Sequence, residues 1–309
     1  MTKKFKPMAV LMSARANAFY LQQARVCVDG QRVVYISKGS GDVDLIFNIP
    51  DKNTAFVLLG KGTSITDAAA RMLAESGVLI GFCGTGGSPL FSMSPMVFVE
   101  PVSEYRPTEF MQKWYGMWAD DCRRLETAKQ FLNIRIEWAA SAWAAYGIEL
   151  PQALRDRFIE RINSAPDTMN LLTAEAEWAK GIYATLAKKF KISDFIREDG
   201  ANKRETKSDV INGLIDHGNY IAYGYSAVVL TTLGISYAFP VLHGKTRRGA
   251  LVFDVADLFK DAIIMPMAFS YGSSDPKDFR SDLIEKCFDM KLTDTLFDTI
   301  KGICQQKAV

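Results

Sequence analysis

The chain has 309 residues, 48% hydrophobic and 23% charged, an ordinary globular composition long enough for one large domain or two ordinary ones. Its 37 basic and 35 acidic side chains leave a net charge of +2, so a nucleic-acid surface would have to come from local clustering rather than overall basicity. Cys27, Cys83, Cys122, Cys287 and Cys304 are odd in number and lack zinc-type or redox-type spacing, which excludes a disulfide framework and points to a reduced, cytoplasmic protein.

Residues 1–100 read as a small β-rich domain. Residues 1–7 are basic, but the apolar run after them is broken by Ser13, Arg15 and Asn17, so no secretory signal is expected. Segments 26–29 and 32–37 flank Gly30-Gln31, a hairpin signal. Segments 45–49, 55–59 and 78–82 read as further strands. Between the last two, Ile65, Ala68, Ala69, Met72 and Leu73 recur at helical spacing and predict a helix over 64–76. Residues 101–107 read as a linker.

Beyond the linker the period changes. A long helical pattern over 108–147 carries Phe110, Trp114, Met117, Trp118 and Cys122, is interrupted near Asp120-Asp121, and continues through Trp138 and Trp143. The tryptophans follow a helical face and so read as core. Further helices are expected over 152–163, 175–190, 210–233, 255–267, 278–290 and 293–304. The expected fold class is α+β, with an all-α domain over 108–309 following the β-rich one. Residues 198–208 are charged and contain glycine, which reads as a mobile loop. No segment has the uninterrupted apolar length that spans a bilayer, so no membrane partner is expected.

Two glycine-rich stretches fail as nucleotide sites. Gly60-Lys61-Gly62-Thr63-Ser64 lacks the upstream glycine of a phosphate loop. Gly84 to Pro89 has the wrong spacing for a dinucleotide fingerprint, and Pro89 opposes a helix there. Both read as turns. No Gly-x-Ser-x-Gly elbow accompanies the two histidines, so Ser/His/Asp hydrolase chemistry is not supported. His217 reads as a structural residue that caps or lines a helix.

The segment from Val241 to Asp261 is the richest in chemistry. His243 stands beside Lys245, Arg247 and Arg248; Asp254 and Asp257 follow an apolar run, three residues apart. An imidazole, carboxylates and phosphate-binding cations in one stretch suit metal-assisted chemistry on a nucleic acid. On spacing alone, however, the simpler reading is that Asp254 caps a helix, Asp257 favours its positive end and His243 is a core histidine. Glu175, read as opening another helix, has the same dipole explanation, and Glu177 would serve as well. Spacing therefore does not join Glu175 to His243 and Asp257.

Several motifs together carry a resemblance. They are residues 209–212, residues 217–224 and the whole of 241–261, with residues 13–17, 59–64, 81–87 and 103–109 in the amino-terminal part. In these the chain resembles the CRISPR-associated integrase-nuclease of the adaptation module, the family that inserts new spacers into CRISPR arrays, and is most similar to its subtype I-F form. The resemblance spans both domains. It implies a metal site of Glu175, His243 and Asp257, with Asp254 as a second acidic position completing the catalytic set. It also implies supporting roles for Asn212 and Tyr223.

The resemblance further implies Mg²⁺ or Mn²⁺ as cofactor and double-stranded and branched DNA, namely protospacer and CRISPR repeat, as substrate. The 3′-hydroxyl of an incoming fragment would attack a phosphodiester at the repeat edge. Lys245, Arg247 and Arg248 are the expected phosphate contacts, with Lys188, Lys189 and Lys191 as further candidates. A homodimer through the amino-terminal domains and a small ferredoxin-like partner, fused to the helicase-nuclease, complete the expectation. The alternatives are a branched-DNA repair nuclease without integration and a DNA-binding scaffold without turnover.

Overall fold

A computed structural model describes residues 14–39, 43–83, 89–91, 108–193, 195–198, 206–244, 249–271 and 276–306. The expected linker 101–107, the glycine-rich 84–88, the basic 245–248 and most of the expected loop 198–208 lie outside the described residues. The chain divides into two compact units, one β-rich and one helical, as the composition of its segments predicts.

Among the described residues, the first unit holds two four-stranded sheets and one α-helix. One sheet contains β1 (Asn17–Leu21), β5 (Thr54–Leu59), β7 (Leu79–Cys83) and β8 (Pro89–Phe91), in that order. Its first three strands are parallel, and β8 returns antiparallel. The central β5 is buried along its length, as a strand covered on both faces must be. The other sheet runs in the order β4 (Asp44–Ile49), β3 (Arg32–Lys38), β2 (Ala24–Asp29) and β6 (Ser64–Ile65). The β2–β3 hairpin turns where expected, with Gly30 at φ +60°, a conformation that favours glycine.

The helix predicted over 64–76 begins later. Ser64 and Ile65 pair with β2, and Thr66 caps α1 (Asp67–Glu75) by accepting from Ala69 N–H. The two sheets and α1 share a core of Val26, Val33, Ile49, Val57, Leu59, Ala69 and Leu73. Strand β1 was not expected. It ends at Gln22-Gln23, where Gln23 takes φ +51° without a glycine to mark the turn.

The second unit holds α2 (Glu109–Trp118), α3 (Asp121–Ala145), α4 (Gln152–Ser164), α5 (Thr168–Phe190) and α6 (Lys207–Thr232). It continues with α7 (Ala250–Phe259), α8 (Met265–Tyr271), α9 (Pro276–Asp289) and α10 (Leu292–Gln305). The interruption at Asp120 is a cap. Its backbone is extended, and its carboxylate accepts from the N–H groups of Cys122 and Arg123 to start α3.

Helix α6 is apolar around most of its circumference and is the buried axis of this unit, packed against α7, α8, α9 and α10. Gly218 lets the chain after α7 approach α6 closely; a Cβ there would lie 2.4 Å from Ile264 Cγ2.

Two helix boundaries correct the sequence reading. Helix α5 is capped by Asp167 and starts at Thr168, so Glu175 sits two turns inside it rather than opening it. The single helix expected over 255–267 is three pieces: α7, a π-helical turn Lys260–Ile264, and α8. Pro266 has no N–H to give the Ala262 carbonyl, and the hydrogen-bond ladder widens in the turn before it.

Candidate metal centre

Helices α2, α3, α5, α6 and α7 and one loop build the site. Tyr237 to Leu242 forms an irregular, mostly apolar lead-in to His243. Trp114 and Trp118 on α2 donate their indole N–H groups to the carbonyls of Phe239, at 3.1 Å, and Pro240, at 2.7 Å. Trp114 is a core residue, as expected, whereas Trp118 is only partly buried; the polar edges of both anchor the loop that carries the imidazole.

Asp254 does not cap α7, because Gly249 occupies that position. The carboxylate instead accepts three backbone N–H groups, from Val241 at 2.6 Å and from Leu242 and His243 at 3.1 Å. Its Oδ1 also lies 2.5 Å from His243 Nδ1. With Nδ1 engaged, Nε2 is the nitrogen left for a ligand, and it lies 3.9 Å from Asp257 Oδ2.

Glu175, His243 and Asp257 each present a ligand atom, and all of these lie within 4.8 Å of one another. Asp257 extends from α7 one turn beyond Asp254, and Glu175 comes from α5. The three sequence-predicted ligands therefore converge from three separate segments. Two carboxylates and one imidazole nitrogen are an oxygen-rich donor set that suits Mg²⁺ or Mn²⁺.

Each acidic group also has a cationic partner. Asp257 Oδ1 accepts from Lys260 Nζ at 2.6 Å, and Lys260 also reaches the Tyr223 hydroxyl at 3.4 Å and lies over its ring. Glu175 Oε1 accepts from Arg135 Nη1. Arg135, from the middle of α3, donates Nε and Nη2 to Asp261 at 2.5 and 3.1 Å. Asp261 is fully buried, and its Oδ2 also accepts from the Trp178 indole at 2.7 Å. Its main-chain carbonyl accepts from Trp143 at 2.7 Å.

These neighbours set the protonation states. Burial alone would lower the His243 imidazolium. The Asp254 hydrogen bond and the charges of Asp257, Asp254 and Glu175 outweigh it and push the group up to about 9. Burial would raise Asp257, but Lys260, Arg135 and His243 hold it below the ordinary carboxylate range. Burial raises Glu175, with Asp257 adding to the effect and Arg135 opposing it.

The remaining predicted residues fall elsewhere or outside the described residues. Tyr223 meets the site through Lys260. Asn212 holds the segment Ile196–Glu198 against α6, donating to the Ile196 carbonyl at 2.8 Å and accepting from Glu198 N–H at 3.2 Å. His217 lies inside α6. Lys188 and Lys189 are exposed on the last turn of α5, ~20 Å along the helix from Glu175 at 1.5 Å per residue. Lys189 donates to the Gly147 carbonyl at 2.5 Å, and Lys191 is the left-handed cap of that helix. Lys245, Arg247 and Arg248 lie outside the described residues.

Sequence reasoning missed Arg135, Lys260 and Asp261. The last two were legible, since they follow Asp257 at helical spacings of three and four. Arg135 had a fainter signal: it occupies the apolar stripe of α3 formed by Ala128, Leu132, Ala139 and Trp143.

Comparison with known proteins agrees with the sequence resemblance. Residues 19–297 match the family model described as CRISPR associated protein Cas1. The CRISPR-associated endonuclease Cas1 of Pseudomonas aeruginosa strain UCBPP-PA14 is 41% identical over 317 residues, covering 97% of this chain and 96% of its own. The crystal structure of the TtCas1–DNA complex shares the fold with a TM-score of 0.68 at 19% identity, covering 95% of this chain and 93% of that one. A casposase bound to integration product gives 0.69 at 15% identity, covering 95% and 92%. No helix among the described residues is long and apolar enough to cross a membrane.

Proposed function

Because this chain belongs to the CRISPR-associated Cas1 family, we propose that it is a divalent-metal-dependent DNA integrase and endonuclease of spacer acquisition, of the subtype I-F form. The observation that carries this reading is the convergence of Glu175, His243 and Asp257 to within 4.8 Å. A divalent cation held by these three residues supplies Lewis acidity toward the phosphoryl oxygens. The endonuclease name of the Pseudomonas relative and the integration product bound by the structurally similar casposase support the two activities.

The reaction is a transesterification. The 3′-hydroxyl oxygen of an incoming DNA fragment forms a new phosphoester bond as the bond to the leaving 3′ oxygen at the repeat edge breaks. One phosphodiester replaces another, so no energy-supplying cofactor is needed. Water in place of the hydroxyl gives cleavage, including that of branched DNA. No protein nucleophile takes part. The chain's own work is to orient, with Asp254 fixing the imidazole and Lys260 holding Asp257. Lys245, Arg247 and Arg248 adjoin His243 in sequence and are assigned to phosphate.

Full integration needs two attacks on opposite strands, which calls for two copies. Strand β4 supports a homodimer through the β-rich unit. Among the described residues it is an edge strand, with Leu45, Ile46 and Phe47 all exposed, an apolar edge of the kind that proteins cover. The ferredoxin-like partner fused to the helicase-nuclease rests on the resemblance; a cytoplasmic location rests on the cysteine usage, with which the five free thiols accord.

The test is a supercoiled plasmid carrying a CRISPR array, incubated with a short duplex and Mg²⁺ or Mn²⁺, with and without the partner. Half-site and full-site products are expected, and chelation or Asp257→Ala should abolish them. Cleavage of forks without integration would replace this reading by a repair nuclease. Binding without products would replace it by a scaffold.

A further inference from the structure

Behind the proposed metal ligands lies a buried ion pair that the proposed chemistry does not use. Arg135 is about 4% exposed and Asp261 is fully buried. The guanidinium forks onto both oxygens of Asp261 and extends its third arm to Glu175 Oε1. Asp261 is saturated on that side. Trp178, three residues after Glu175 on the same helix, donates to Oδ2, and Trp143 takes the main-chain carbonyl. Trp178 is itself stacked on Phe158 at 4.8 Å.

We infer that Arg135 is a positioning residue for the metal centre, held by Asp261 and the two indoles so that the Glu175 carboxylate keeps one fixed orientation. This inference rests on the metal-site reading above. Three physical points support it. A buried ion pair stabilises a fold no better than a well-packed apolar pair of the same volume, so the pair contributes little as glue. What it does supply is geometry, because a planar guanidinium with two arms locked to one carboxylate has no freedom left for the third. Glu175 is also the ligand that needs a brace most. Asp257 is steadied by Lys260 on its own helix and His243 by Asp254, whereas no other described hydrogen bond fixes the Glu175 carboxylate.

Positioning and charge make opposite forecasts. If Arg135 acted merely as a competing cation, its removal would tighten divalent binding. If it orients Glu175, its removal weakens binding, by about 10- to 100-fold for a partner of this kind.

The experiment counts free Mn²⁺ by electron paramagnetic resonance against the full-length, metal-free chain, with melting temperature recorded in parallel. Wild type and Asp257→Asn come first. Absence of Mn²⁺ binding by wild type, or unchanged binding by Asp257→Asn, would overturn the metal site itself. With that site established, Arg135→Met combined with Asp261→Leu replaces the pair by apolar residues. This variant is expected to melt near wild type and to bind Mn²⁺ 10- to 100-fold more weakly. Equal or tighter binding by the folded double variant would overturn the inference. Should that variant not fold, Arg135→Lys decides the matter: it keeps the charge and loses the fork. Weaker Mn²⁺ binding by Arg135→Lys supports positioning, and full wild-type affinity sinks it.

Discussion

Asp254 Oδ1 lies 2.5 Å from His243 Nδ1, and the same carboxylate accepts the backbone N–H groups of residues 241, 242 and 243. One buried side chain thus fixes both the loop that carries the imidazole and the ring on it. Asp254→Asn removes the charge and turns an amide toward donors. The expected cost is about 1–3 kcal/mol for buried groups left unsatisfied. The His243 titration should also fall from about 9 toward the ordinary imidazole range. Proton NMR of the metal-free protein reads this directly, since the chain has 2 histidines and His217→Gln assigns the other signal. An unmoved His243 titration would contradict the geometry.

The raised His243 group has a consequence for stability. Its folded-state value of about 9 lies above the ordinary 6.5, so its stabilising contribution is fully present below about pH 6.5 and is lost as the pH rises through about 9. The full effect is about 3 kcal/mol. In the presence of a chelator, wild type should lose melting temperature between pH 6.5 and 9 more steeply than His243→Gln. Parallel curves would show that the imidazolium gains nothing on folding.

Salt dependence tests the basic residues that follow His243 in sequence. Each phosphate contact contributes a slope of about −0.9 to the logarithm of duplex affinity against the logarithm of salt. Arg247→Ala with Arg248→Ala should therefore flatten the slope by about 2 and weaken binding without altering sequence preference. The same slope in the variant would remove these residues from the DNA path.

Close packing at α6 predicts a purely structural loss. A Cβ on Gly218 would meet Ile264 Cγ2 at 2.4 Å, and a β-branched side chain on the π-helical turn has little freedom to retreat. Gly218→Ala should cost about 1–3 kcal/mol in denaturant unfolding. Gly213→Ala, where nothing lies within 4 Å, serves as the control on the same helix and should be neutral or slightly stabilising. Equal stability of the two variants would refute the close approach.

Much of this architecture could be read from local pattern. The β2–β3 hairpin announced itself by Gly30, the break between α2 and α3 by Asp120, and the helical unit by its apolar period. Strand β1 has no local signal, because its turn uses Gln23 rather than a glycine; the π-helical turn has one in Pro266, but a proline inside an apolar run does not by itself say whether the helix ends, kinks or widens. Helix α5 starts seven residues before the position its sequence pattern suggests, 168 against 175, because the Asp167 side chain caps it. Glu175 therefore lacks the helix-start role that its sequence context suggests.

The site divides along the same line. Composition, helical period and motif likeness operate over short stretches of chain, and they sufficed for the fold class, the family resemblance and the grouping of His243, Asp254 and Asp257. The roles of these residues were another matter: spacing favoured Asp254 as a cap, whereas packing made it the anchor of the histidine loop. Arg135 stands 126 residues from Asp261 and 40 from Glu175, and no local period relates them. Only the packing of α3, α5 and α7 with its π-helical continuation brings these charges together. In that desolvated interior, distances of a few ångströms decide which carboxylate is offered as a ligand and which is spent on holding another in place.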